Sequence, residues 1–194
     1  MPEEKNTPNL FLETLDWVCA KLQLLDIPYM ITGGSAVGFW GHIRTTMDID
    51  IIVQIHPDKV DTLLKSVEKE AYIAIPEARN AINSKSMFNI ILNQTLFKID
   101  IVPLDERSDY ELQKFKRRIK INFQGKNIYV ISPEDLIISK LMWNKIAGGS
   151  ERQLGDCQSI WKLNQEKLDF GYIKKWAAIL GIKNEVNKLG ADFL

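Results

Sequence analysis

Several kinds of chemistry are excluded by what the sequence lacks. Only two cysteines, Cys19 and Cys157, occur in 194 residues, and no Cys-x-x-Cys spacing is present. Together with the two histidines, His42 and His56, they cannot assemble a standard structural zinc site, so no zinc is expected. Two thiols so far apart fit a reducing compartment, each simply buried. Charge of one sign is missing too: 25 Lys and Arg balance 25 Asp and Glu. Binding a duplex through overall charge is therefore excluded, and any RNA contact needs a local basic patch. No apolar run approaches the roughly 20 residues of a membrane helix, so no membrane partner is expected. The opening MPEEKNTPN is acidic and polar, unlike a signal peptide. The expected localisation is cytoplasmic. A Walker loop is absent, since no Gly-Lys-Ser/Thr occurs.

What is present is enough to build a core. The hydrophobic fraction is 45%, and the length suits one domain, or one domain with a small helical appendage. Residues 9–25 place Leu10, Leu15, Val18, Leu22 and Leu25 at helical spacing. Pro28 ends that helix, and PYMIT reads as a buried strand. Gly33-Gly34-Ser35 comes next as a turn, then a short apolar helix, AVGFWGH. MDIDIIVQ (47–54) is the strongest strand signal, and Pro57 opens the next helix in its first turn. MFNIIL (87–92) and FKIDIV (97–102) read as strands around an Asn-Gln-Thr turn. Residues 117–131 form a second pair around Gly-Lys-Asn. Ser132-Pro133-Glu134-Asp135 has the signature of a helix start: a capping hydroxyl, a first-turn proline and acids at the positive helix end. The rest reads as helical, broken near Gly148-Gly149, Asp169 and Gly181. The expected class is α+β: a mixed sheet flanked by helices over residues 1–131, and a C-terminal helical region packed on that core over 132–194.

Asp48 and Asp50 lie two apart in a strand, so both point to one face. Ile49, Ile51 and Val53 take the other face, which must be core. Aspartate is depleted in strands, and desolvating a carboxylate is costly. Two such charges about 4 Å apart repel by roughly 4 kcal/mol at an effective dielectric near 20. A divalent cation removes that repulsion and turns the pair into a chelate. Asp100 repeats the pattern in Lys98-Ile99-Asp100-Ile101-Val102. If the two strands are neighbours, about 4.8 Å apart, all three carboxylates converge. Ligation by oxygen alone suits Mg²⁺, the usual partner of triphosphates. For a single Asp-x-Asp, a solvated sheet face would be the better reading. Recurrence of a third Asp in the same setting weakens it.

Gly33 and Gly34 stand between a buried strand and a helix start. There backbone N–H groups can approach an anion, and the helix end favours negative charge. Ser35 can cap the helix or bind a phosphate oxygen. Arg44, in the loop after that helix, can bind a phosphate bidentately or pair with an Asp. Alone the glycine pair is an ordinary tight turn; it gains meaning from its fixed spacing to Arg44 and the Asp pair.

That spacing, Gly34-Ser35, twelve residues, Asp48-Ile49-Asp50, then Asp100 in a later strand, resembles the polymerase-beta-type nucleotidyltransferase superfamily. The longer string GGSAVGFWGHIRTTMDIDI is similar to its branch of AbiEii-type toxin and abortive-infection enzymes. Lincosamide and aminoglycoside nucleotidyltransferases open in a similar way. The resemblance implies that Gly34 and Ser35 hold the triphosphate. It implies that Asp48 and Asp50 ligate two Mg²⁺ ions, with Mn²⁺ as a substitute, and that Asp100 completes the site and helps deprotonate the attacking hydroxyl. Lys140-Leu141 and Arg152…Asp156 match a Lys-Leu and an Arg-x-x-x-Asp of the AbiEii-type enzymes, although Gly155 stands where Lys or Arg is usual. On that match Lys140 would bind phosphate, its ammonium projecting over the rim of the Ile137/Leu141 stripe. Arg152 and Asp156 would support the site. The plain alternative for those two is an exposed ion pair four residues apart on a helix.

The other features have bland readings. Lys114, Lys116, Arg117, Arg118 and Lys120 surround Phe115, and most such runs are solvated faces; an RNA contact is the lesser reading. Trp17, Trp143, Trp161 and Trp176 sit at core spacing, and Trp40 reads as core. The expected activity is transfer of a nucleoside monophosphate from an NTP to an acceptor hydroxyl. Three roles are compatible with it. The first is a toxin–antitoxin or phage-defence enzyme acting on tRNA or protein, with a cognate antitoxin as partner. The second is an antibiotic-modifying enzyme acting on a small molecule. The third is a non-catalytic relative that binds nucleotide or a partner protein; the complete Asp set argues against it.

Overall fold

A computed structural model describes residues 10–43, 46 and 48–191. Among them are seven strands and nine helices, and the chain is α+β with mixed strand pairing. It divides into two compact units. Of the described residues, one comprises 10–29 and 48–104, the other 30–43, 46 and 105–191.

The first unit is built on a mixed sheet in the order β3-β4-β5-β2. Its strands are β2 (Asp48–Val53), β3 (Ala71–Tyr72), β4 (Phe88–Leu92) and β5 (Lys98–Pro103). β2 and β5 run parallel, while β4 is antiparallel to both β5 and β3. Ile49, Ile51, Ile99 and Ile101 are at most 1% exposed. Burying each is worth roughly 1.5–3 kcal/mol. A slip of one residue would carry all four to the opposite face, so this burial fixes the register. Helix α1 (Leu10–Leu24) buries Leu15, Val18 and Leu22, as their spacing predicts, and Cys19 with them, whereas Leu10 is exposed and Leu25 lies past the helix end. α3 (Pro57–Glu68) begins at its proline and buries Val60, Leu63, Leu64 and Val67. α4 (Ile75–Ser84), which has no counterpart in the pattern of the sequence, buries Ala78, Ala81 and Ile82 and packs on β4 and β5.

In the second unit the strand order is β1-β7-β6. β1 (Tyr29–Thr32), from Met30 onward in this unit, pairs parallel with β7 (Lys126–Val130), Ile31 opposite Val130. β7 pairs antiparallel with β6 (Ile119–Phe123). The hairpin turns at Gln124-Gly125, both with positive φ (49° and 80°), and not at the expected Gly-Lys-Asn. A two-residue turn with both φ positive matches the twist of its strands, which frees Lys126 and Asn127 to join β7.

Helix α6 (Pro133–Ile146) is capped as its sequence predicts: Ser132 Oγ accepts the Asp135 N–H at 3.1 Å. It is buried almost all round, with Leu136, Ile137, Ile138 and Leu141 fully enclosed. α2 (Gly33–Trp40), α7 (Glu151–Asn164), α8 (Phe170–Ile179) and α9 (Lys183–Ala191) pack against it, and because Glu134, Asp135, Lys140 and Asn144 are buried with its apolar residues, that shell must also supply polar partners. Trp143 is a correction: it is 64% exposed. It lies about 200° round the helix from Leu141, at 100° per residue. Trp161 and Trp176 are buried as expected, and the Trp40 indole N–H donates to the Ile131 carbonyl at 2.7 Å.

The basic run is also corrected. It opens at the end of α5 (Asp109–Lys116), where Lys114 and Phe115 are buried and Lys114 pairs with Glu111 at 2.6 Å. Arg117 bonds Glu134 at 3.1 Å and approaches Asp135 at 3.4 Å. The Arg118 guanidinium lies over the rings of Phe115 and Tyr129. Three of the five cations are thus absorbed inside the unit, which leaves Lys116 and Lys120 and weakens the case for an RNA patch.

Candidate active site

In the first unit, strand register assembles a polar face. Asp48 stands opposite Lys98, and Asp50 opposite Asp100, in the parallel β2/β5 pair. Opposed residues share a face, so Asp48, Asp50, Lys98 and Asp100 all lie on the side away from the buried isoleucines. Asn89 of β4 faces Asp100 from the other flank. The Asp100 side chain is only 7% exposed, while Asp48 and Lys98 are each more than a third exposed. The Lys98 ammonium donates to Asp100 Oδ2 at 2.8 Å and stands 3.7 Å from Asp48 Oδ2. Its hydrogen bond to Asp100 holds its pKa above the ordinary value, against partial burial. The charges of Asp100, Asp48 and Asp50 act in the same direction as that bond. Sequence reasoning missed Lys98, yet the signal was there: a lysine two residues before Asp100 must share its face.

The resemblance implies a divalent metal here, and the donor set fits one. Asp100 Oδ1 is buried and, among the described residues, has no hydrogen-bond partner, an acceptor left for a cation. The Lys98 ammonium already marks a cation position between oxygens of Asp48 and Asp100. All the donors are carboxylate oxygens, the preference of Mg²⁺. Among the described residues, no three carboxylate, imidazole or thiolate groups close into a ready-made metal cluster.

In the second unit, β1 runs into α2 with Gly33 at φ +58°, a left-handed conformation that favours glycine. Gly33, Gly34 and Ser35 form the first turn of α2 and not a turn before it. Ser35 does not cap the helix. Thr32 holds the N-cap position without a side-chain bond, and the buried Ser35 hydroxyl donates back to the Thr32 carbonyl at 3.1 Å. Arg44 lies outside the described residues.

Lys140 and Asp156 meet in the same unit. The Lys140 ammonium donates to Asp156 Oδ2 at 2.8 Å and to Gln153 Oε1 at 3.1 Å. The two side chains are 6% and 2% exposed. His42 Nε2 stands 3.7 Å from the other Asp156 oxygen. Two expectations change. The Lys140 ammonium does not cross the rim of the stripe but turns inward, towards a buried carboxylate on α7. Asp156 is not half of an exposed pair with Arg152; Arg152 is exposed and the buried cation is Lys140. A cavity of about 400 Å³ among α6, α7 and α9, lined by Asn144, Gln158, Glu185 and Lys188, contains none of these residues.

Residues 12–176 match the family described as "nucleotidyltransferase of unknown function (DUF6036)". No curated protein sequence matches the chain. Among solved structures, it is similar to an antigenic nucleotidyltransferase-like protein from Paracoccidioides brasiliensis. The TM-score is 0.57 at 16% identity, over 91% of this chain and 90% of that one. It is also similar to the antibiotic-resistance factor ANT(2'')-Ia, with a TM-score of 0.58 at 11% identity over 89% and 96% of the two chains. The lincosamide antibiotic adenylyltransferase LnuA, solved with lincomycin bound, gives 0.52 at 15% identity over 81% and 98%. At these identities the likeness is one of fold. Among the described residues, no helix is long and apolar enough to cross a membrane.

Proposed function

The chain belongs to this nucleotidyltransferase family, and from that premise we propose that it moves a nucleoside monophosphate from an NTP to an acceptor hydroxyl, using the Asp face as its metal site. The carrying observation is the register that sets Asp50 beside Asp100 and Asp48 beside Lys98 on one face. Asp48 and Asp50 would hold two Mg²⁺ ions, with Asp100 on the one nearest the attacking oxygen. Bound there, the ions would acidify the hydroxyl and stabilise the departing pyrophosphate. Asp100 is largely buried, so its carboxylate is held in place before substrate arrives, and little reorganisation is needed in the transition state. Gly33, Gly34, Ser35 and Arg44 are assigned to the triphosphate. Lys140 is assigned to the phosphates as a point charge, with Asp156 and Arg152 as supports.

For the acceptor we favour tRNA or protein, in a toxin–antitoxin or phage-defence setting. Support comes from Lys140 and Asp156, one residue from each of the two AbiEii-type motif matches, which meet in one ion pair. Transfer to an antibiotic is the second reading, favoured by the fold shared with the antibiotic adenylyltransferases. The test is incubation of the protein with each labelled NTP, Mg²⁺ and either total tRNA, cell lysate or aminoglycoside and lincosamide substrates. Label should enter tRNA or protein, and should not do so with Asp50→Asn. Label in the antibiotic alone would replace the first acceptor reading by the second. No transfer from any NTP would overturn both.

A further inference from the structure

We propose that Lys98 is the protein's own counterion for the Asp face: its ammonium stands where a divalent cation binds, so that metal uptake requires Lys98 to leave. This rests on the metal-dependent reading above.

Three observations carry it. First, the ammonium touches Asp100 at 2.8 Å and lies 3.7 Å from Asp48, so one cation spans the two strands. Second, the two ends of the contact differ in freedom. Asp100 is fixed in the sheet and 7% exposed, whereas the Lys98 side chain is 39% exposed on a flexible four-carbon stem. Lys98 can therefore rotate into solvent while Asp100 stays. Third, one Asp100 oxygen takes the ammonium and the other, among the described residues, has no hydrogen-bond donor, so the carboxylate is only half satisfied by the lysine. A divalent ion at those oxygens repels a neighbouring ammonium about twice as strongly as a second ammonium would. The two cations cannot share Asp100, and the mobile one leaves. The metal must then replace a hydrogen-bonded ion pair before it gains its own ligands. Lys98 thus lowers metal affinity and steadies the metal-free carboxylates.

The experiment measures Mn²⁺ binding to the full chain without nucleotide, by electron paramagnetic resonance titration. Thermal unfolding in EDTA is recorded alongside. Lys98→Met keeps most of the stem and removes the charge. Lys98→Gln keeps a hydrogen bond to Asp100 and removes the charge, so it serves where the methionine variant folds poorly. Lys65→Met, on exposed α3 surface, makes the same change in net charge. Both Lys98 variants should bind Mn²⁺ about five- to twentyfold more tightly, the worth of a partly exposed, charge-assisted contact. In EDTA both should melt at a lower temperature than wild type. Lys65→Met should stay within about twofold in affinity. Unchanged or weaker Mn²⁺ binding in the Lys98 variants would overturn the proposal, and so would equal tightening in Lys65→Met. Binding to the Lys98 variants but not to wild type supports it in its strongest form. Failure of every protein to take up Mn²⁺ removes the metal-dependent reading itself, and this inference with it.

Discussion

Lys140 and Asp156 form an ion pair almost out of solvent, and cutting it from one side should be costly. The nitrogen–oxygen distance is 2.8 Å, and the side chains are 6% and 2% exposed. Removing Asp156 leaves the ammonium with Gln153 as its remaining polar contact. Removing one partner of such a pair typically costs about 3–5 kcal/mol, because the other charge stays buried and uncompensated. Total stabilities of about 5–15 kcal/mol make that a large fraction. With a urea slope near 2 kcal/mol/M, Asp156→Ala should lower the unfolding midpoint by roughly 1.5–2.5 M. Arg152→Ala, on an exposed residue, should stay within about 0.5 kcal/mol of wild type. The double change Lys140→Met with Asp156→Leu removes both charges and should recover most of the loss, since well-packed apolar replacements of buried pairs are often neutral. That stable double variant then separates structure from catalysis. If Lys140 acts on phosphate, NMP transfer should remain reduced about ten- to a hundredfold, the worth of one charge-assisted contact. An Asp156→Ala cost below about 1 kcal/mol would show that the pair is hydrated and that the reasoning from burial fails. Full transfer activity in the double variant would refute the phosphate role of Lys140.

Asp48→Asn and Asp50→Asn should abolish Mg²⁺-dependent transfer with little loss of stability, because each removes a charge from a like-charged set; strong destabilisation in urea would point to a structural role instead. Burial raises the Asp135 pKa above its ordinary 3.8, against the hydroxyls of Tyr172 and Ser132 and the Arg117 cation. Its contribution to stability is therefore present below about pH 3.8 and is lost as pH rises through the raised value, where the unfolded chain binds fewer protons. Asp135→Asn should flatten that part of the pH–stability curve, and an unchanged curve would exclude Asp135 as its source. Burial pushes the thiols of Cys19 and Cys157 up to about 12, so neither should react with a disulfide reagent at pH 8 until denaturant is added; rapid labelling of the native protein would contradict their enclosure.

The fold was most readable where burial acts on one period at a time. The alternation in β2 and β5 and the Ser132-Pro133 cap each have a local cause, and the structure obeys them. α4 and α5 were missed because they are short: each buries only three residues, too few to set a period, even though Ser108 caps α5 by accepting the Glu111 N–H as Ser132 caps α6. α6 misled in another way: it is buried on nearly every side, so its apolar residues do not define one stripe, and Trp143 fell on the outer arc.

The site divides along the same line. Asp48, Asp50 and Asp100 could be placed on a face from the two-residue period alone, and the parallel register supplied what the sequence could not, that Asp50 lies beside Asp100. Lys98 shares that period, but a lysine at a strand end is so often solvated that only its neighbours across the register give it meaning. The partner of Asp156 shows where local reasoning stops. Arg152, four residues away on the same helix, is the cation that spacing nominates, and Lys140 is sixteen residues away on another helix. An exposed pair at helical spacing is worth about 0.3–0.5 kcal/mol, whereas a carboxylate exposed to only 2% strongly requires a cation that is buried with it. Burial, which tertiary packing decides, therefore outweighs spacing in selecting the partner. The same comparison explains why Asp100, the more enclosed carboxylate, and not the more open Asp48, takes the shorter contact with Lys98.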